Sequence, residues 1–111
     1  MYEKKAQSLS QLEEVEEVVF SSPEGMVLIQ SGRGDPEEAA ALIVFVAQMA
    51  AKVGEALKWG DFEKGTFNGR GERVLIYNGE DHRLGIFVKP QASISLVEDR
   101  VEEELGSRGE R

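Results

Sequence analysis

Apolar residues recur along the chain with a period that changes from segment to segment, and each change marks a predicted element. Tyr2, Ala6, Leu9 and Leu12 fall at helical spacing and predict a short first helix. From Val15 the pattern turns β-like. The stretch "VEEVVFSSPEGMVLIQS" holds two β-rich runs around Ser22-Pro23-Glu24-Gly25, with Pro and Gly placed as a type I turn wants them. Strands are expected near 16–22 and 26–31. A helix through Leu12, Val15, Val18 and Val19 is the competing reading, and the β-branched residues weigh against it.

The longest apolar run comes next. Asp35 is a good N-cap, Pro36 suits the first helical position and Glu38 completes an Asp-x-x-Glu capping box. This helix should run from about Pro36 to Lys58 and stop near Gly60. Beyond it, "WGDFEKGTFNGRGERVLIYNGEDHRLGIFVKP" reads as strands near 62–68, 73–78 and 83–89. The turns "NGRGE" and "NGEDH" supply the glycines that positive φ needs. Ile94, Val97, Val101 and Leu105 mark a closing helix, capped by Ser93 or by Ser95 with Glu98. Gly106 should end it and leave "SRGER" frayed.

The predicted order is α-β-β-α-β-β-β-α, an α+β chain. No repeat or linker interrupts it, so residues 1–111 read as a single domain with a core from about 9 to 105. The runs "EVVF", "MVLI", "RVLIY" and "LGIFV" are apolar on both faces, which predicts a sheet covered on both sides. At about 100° per residue, the long helix keeps one narrow polar stripe, through Glu37, Gln48, Lys52 and Glu55. Leu42, Val46, Met49, Val53 and Leu57 form one apolar face. Ala40, Ala47, Ala51 and Gly54 form a second, of small residues. One face can lie on the sheet, and the other needs a partner.

Charge and composition narrow the function. The chain carries 21 acidic against 13 basic side chains, a formal net charge of -8, so nucleic acid is not an expected partner. Having no cysteine, it has no disulfide or thiolate metal site and suits a reducing cytosol. The start "MYEKKAQSLS" does not resemble a signal peptide, and no segment is expected to reach the roughly 18 apolar residues of a membrane span. A soluble, cytoplasmic protein without membrane insertion is expected.

The candidate chemical motifs resolve into structural ones. The loop "GRGDPEEAAA" lacks the Gly-Lys-Ser/Thr of a phosphate-binding loop. Asp35, Glu37 and Glu38 would serve the helix amides there and repel a phosphate. Arg-Gly-Asp without a secretion signal reads as a chance tripeptide. Asn68-Gly69-Arg70-Gly71 suits a hairpin turn, and the single histidine, His82, suits a surface turn. Glu13, Glu14, Glu16 and Glu17, like Glu102, Glu103 and Glu104, lie on segments expected to need a solvated face. Ser21 and Ser22 have no base near them in the predicted arrangement. No catalytic residue, cofactor or metal is expected. Phe45 and Trp59 flank the polar stripe, either as edge packing or as aromatic anchors for another protein.

Taken together, the hairpin "VVFSSPEGMVLIQSG", the helix "DPEEAAALIVFVAQMAAKVGEALKWG", the meander "FEKGTFNGRGERVLIYNGEDHRLGIFV" and the close "KPQASISLVEDRVEEEL" resemble the roadblock / dynein light-chain family of regulatory domains. The resemblance spans about Leu9 to Leu105 and rests on order and spacing rather than on one motif. It implies a five-stranded antiparallel sheet in order 2-1-5-4-3, the long helix on one face and both terminal helices on the other. It also implies a homodimer, with third strands paired edge to edge and long helices side by side. On this chain the interface would hold Ala40, Ala47, Ala51 and Gly54 of the helix and Gly65, Thr66 and Phe67 of the strand "DFEKGTFN". Such domains bind and regulate NTPases, often Ras-like GTPases, without chemistry of their own. Phe45, Gln48, Lys52, Glu55 and Trp59 would then be candidates for the partner surface. A small-molecule sensor of profilin-like architecture is the alternative. It needs polar groups lining a core pocket, which the Val, Leu, Ile and Phe strand interiors do not offer.

Overall fold

The computed structural model describes residues 2–71 and 73–105, and the expected helix stop at Gly106 and the "SRGER" tail lie outside them. The elements are α1 (Tyr2–Ser10), β1 (Val15–Ser21), β2 (Val27–Gly32), α2 (Pro36–Leu57), β3 (Lys64–Asn68), β4 (Arg73–Asn78), β5 (Arg83–Val88) and α3 (Ile94–Leu105). All five strands join one antiparallel sheet in the order β2-β1-β5-β4-β3. Order and topology are those expected.

Alternation along the strands builds two cores. Val18, Phe20, Leu75, Leu84, Ile86 and Val88 meet Ala6 and Leu9 of α1 and Val97 and Val101 of α3. Val19, Val74 and Ile76 point the other way, toward Ala39, Ala40 and Ile43 of α2. Each large buried side chain contributes roughly 1.5–3 kcal/mol. The hairpin turn closes as its sequence suggests: Gly25 N–H donates to the Ser22 carbonyl at 3.0 Å, and Ser22 N–H to that of Met26 at 2.8 Å. Of the turn glycines expected to supply positive φ in the meander, Gly71 has it (+75°), and Gly79 is not among the positive-φ residues.

Around α2 the structure departs from expectation. The residues it buries are Ala39, Ala40, Ile43, Ala47 and Gly54, so the small face lies on the sheet. Ala40 and Ala47 are therefore core residues and not an outward dimer face; of the four expected helix residues only Ala51 is exposed. The physical reason is fit. Small side chains let the helix approach the sheet closely, and Ile43 fills the space that Gly85 leaves open on β5. Of the bulkier face, Leu42 and Val46 still pack against the core, while Met49 50%, Val53 52% and Leu57 49% are exposed. Gly54 is claimed by the helix stop. Trp59 N–H donates to the Gly54 carbonyl at 2.8 Å, and a Cβ at Gly54 would come within 2.5 Å of the Gly60 oxygen. That stop is Lys58 in the left-handed region (φ 61°), two residues before the expected glycine.

Pro36–Leu57 is also long and apolar enough to cross a membrane by length and composition, contrary to the sequence expectation. In this fold its small face is packed on the sheet. At its start, Asp35 caps as expected, accepting from Glu37 N–H at 3.0 Å. The reciprocal bond from Glu38 does not occur among the described residues; Glu38 lines a neighbouring groove instead. Asp35→Ala is expected to cost about 1 kcal/mol in chemical denaturation, and a loss near zero would mean the cap does not hold the helix entry.

Candidate functional site

Two surfaces hold the residues with functional potential. The first is the outward side of α2 with the neighbouring sheet edge. Gln48, Lys52 and Glu55 are exposed along the helix, beside Phe45 at 60% and Trp59 at 78% exposed. Met49, Val53 and Leu57 continue this surface as an apolar flank. Among the described residues β3 pairs with β4 alone, so its other edge is open. Phe67 stands opposite Val74, a residue packed under α2, which places Phe67 on the sheet face that α2 covers. It is 48% exposed. Gly65 lies against the Phe62 ring, and Thr66 is exposed on the strand. On the opposite face, Lys64 reaches α3 through Glu102 at 3.0 Å and Glu98 at 3.7 Å, tying the edge strand to the helix layer.

The structure places Gly65 and Phe67 on the sheet face that α2 covers and Thr66 on the opposite face, and it leaves Phe45, Gln48, Lys52, Glu55 and Trp59 exposed along α2 and its end. It removes Ala40, Ala47 and Gly54 from this surface and supplies Met49, Val53 and Leu57 in their place. An unpaired strand edge and an exposed apolar helix flank are each the kind of surface another chain covers.

The second surface is an open groove of about 850 Å³ where β1 starts and α2 begins. Its geometry follows from an irregularity. The β1–β5 register shifts between Val15 and Glu17, and Glu16 is the extra residue. Glu17 is thereby turned onto the α2 side and is only 6% exposed, against the expectation of a solvated face. Gly32 (φ +104°) permits the close crossing here, since a side chain would strike the Glu16 carbonyl. Gln30 Nε2 donates to Glu17 Oε2 at 3.1 Å. Burial pushes the Glu17 carboxyl above its ordinary range; the Gln30 hydrogen bond opposes this, and Asp35 and Glu38 add to it. The signal that could have placed Glu17 was the pair of glycines at Gly32 and Gly34, but their contact with β1 is not visible in sequence.

The folded state thus binds the Glu17 proton more tightly than the unfolded chain does. The charged form costs stability above the raised folded value, and the cost disappears as pH falls toward the ordinary carboxylate range. Glu17→Gln is expected to raise the melting temperature at neutral pH and to flatten that acid-side gain. Melts of both chains at neutral and mildly acidic pH check this; a lower midpoint for the variant at neutral pH would contradict it.

His82 lies in the β4–β5 turn, where its carbonyl accepts from Gly79 N–H at 2.9 Å, but its ring is half-buried instead of free on the surface. Its ring lies 5.0 Å from that of Tyr2 and 5.7 Å from that of Phe20, and Nδ1 is 3.0 Å from Asp81 Oδ1. It wedges the first turn of α1 against the sheet. Ser21 is buried, its hydroxyl donating to the Ser22 carbonyl. Among the described residues, no group of three or more His, Asp or Glu is arranged to hold a metal.

No family model matches the sequence, and no curated protein sequence matches it either. Solved structures do. A roadblock/LC7 domain from Streptomyces avermitilis superposes with a TM-score of 0.83 at 14% identity, over 95% of this chain and 92% of that one. The fold is that of the roadblock/LC7 domain. The gliding protein MglB of Thermus thermophilus shares it at a TM-score of 0.76 and 17% identity, over 92% of this chain and 83% of that one. MglC of Myxococcus xanthus shares it at 0.60 and 14% identity, over 97% of each chain. Within the roadblock fold of this chain, β2 and β3 are the two edges of the sheet, and α2 packs across the strands between them.

Proposed function

We propose that this chain is a non-enzymatic, homodimeric regulatory module that binds a small Ras-like GTPase, or another NTPase, in the cytoplasm. The observation that supports it most is a roadblock fold with an open β3 edge and, on the same sheet face as Phe67, a half-exposed apolar flank of α2. A second copy applied about a two-fold axis would extend the sheet through β3 and cover Met49, Val53, Leu57 and Phe67. Symmetric pairing of this kind is the commonest way soluble chains cover such a patch. Gly65 and Thr66 would lie at the strand–strand contact, and Ala51 remains available at the helix margin. Structural likeness to MglB and MglC supports a regulatory role alongside a small GTPase.

Phe45, Gln48, Lys52, Glu55 and Trp59 stay uncovered in this dimer and form the platform. Phe45 and Trp59 supply large apolar area beside the polar groups, the composition of an anchor site. The test is a pull-down of the organism's small GTPases, each loaded with GTP or GDP. One GTPase should bind with a preference between the two states. Phe45→Ala should weaken that complex by about 1 kcal/mol or more while the dimer persists. Absence of binding in both states would remove the GTPase role; undiminished binding by Phe45→Ala would move the contact off this helix.

A further inference from the structure

We propose that the groove between the β1 bulge and the entry to α2 is a docking site for an arginine side chain on an extended segment of a partner protein. The carboxylate at its base is what calls for a cation. Glu17 is almost fully buried, yet the only side-chain hydrogen bond it makes among the described residues is the neutral one from Gln30 to Oε2. Oε1 accepts none and lies against Gly34, where a Cβ would approach it to 2.5 Å. A charged carboxylate this deep is costly until a cation reaches it.

The rest of the groove fits the same occupant. Asp35 and Glu38 line the mouth beside Glu17, and among the described residues Arg33 and Lys89 are the basic side chains there. Neither forms an ion pair among the described residues, so the acidic excess is not neutralised from within. Leu42 and Phe87 give the walls an apolar part. A guanidinium suits this mixture better than an ammonium. It is more weakly hydrated, offers parallel N–H groups to a carboxylate and can lie on an aromatic ring such as Phe87. A bound metal ion is disfavoured, since the carboxylates do not gather as ligands. The groove begins on β1, beside edge strand β2, while β3 is the opposite edge of the sheet, so the site does not depend on the proposed dimer contact or on the GTPase.

The experiment titrates the isotope-labelled full chain with the blocked peptide acetyl-Leu-Arg-Leu-amide and with its citrulline counterpart, followed by amide chemical shifts. The arginine peptide should give saturable shifts at Glu17, Gly34, Asp35 and Ala39, and the citrulline peptide should not. Glu17→Gln, which keeps the shape and is expected to fold more stably, should weaken binding about tenfold or more. Glu38→Gln should weaken it less. Equal shifts from both peptides, equal binding by Glu17→Gln, or no saturable shift with arginine would overturn the proposal. Shifts at the same amides that follow protein concentration without peptide would assign the groove to a second copy and overturn it too. A GTPase pull-down that failed would leave all these outcomes unaffected.

Discussion

Alanine at Gly85 should destabilise the chain by roughly 1–3 kcal/mol, and valine by more. A Cβ there would overlap Ile43 Cδ1 and stand 2.7 Å from Cγ1, and Ile43 is fully buried, so its side chain has nowhere to move. The long helix would have to lift from the sheet. Ile43→Ala by itself should cost roughly 2–5 kcal/mol, because it leaves a cavity at the same place. The two changes are not independent. With Cδ1 and Cγ1 deleted, the added methyl enters vacated space, so Gly85→Ala should cost less in the Ile43→Ala background by about 1 kcal/mol or more. Denaturation of the four chains closes the cycle. Additive costs would mean that Ile43 over Gly85 does not set the height of α2.

That contact also explains which parts of the fold could be read from sequence. The strands, the Ser22–Gly25 turn and the Asp35 cap depend on local rules, and their residues announce them. The choice between two apolar faces of α2 does not. Periodicity identified both faces, but volume decided between them, and the deciding cavity is Gly85, far away in the chain. Glu17 was misplaced for a similar reason: one extra residue at Glu16 reverses the alternation, and nothing in "LEEVEEV" marks it. The β3 edge residues were legible because an edge strand shows in its own composition, polar and glycine-containing.

Val53→Glu should split the dimer while leaving the single chain folded. Val53 is 52% exposed in one chain, so a carboxylate there can remain in water. Across the proposed two-fold contact it would be buried without a cation, on the order of 3–5 kcal/mol against association, and symmetry would place one such charge in each copy. Ala47→Glu provides the contrast. Ala47 is 2% exposed beneath α2, so the charge there should unfold the chain instead of dividing a dimer. Circular dichroism with sedimentation separates the two effects. A Val53→Glu chain that stayed folded and associated would show that another surface makes the contact.

Sedimentation equilibrium of the unmodified chain at low micromolar concentration tests the central claim, that a second copy covers the α2 flank and the β3 edge. The predicted result is a single species at twice the 12.3 kDa chain mass. A single species at 12.3 kDa itself would contradict the account and leave Met49, Val53, Leu57 and Phe67 open on a monomer.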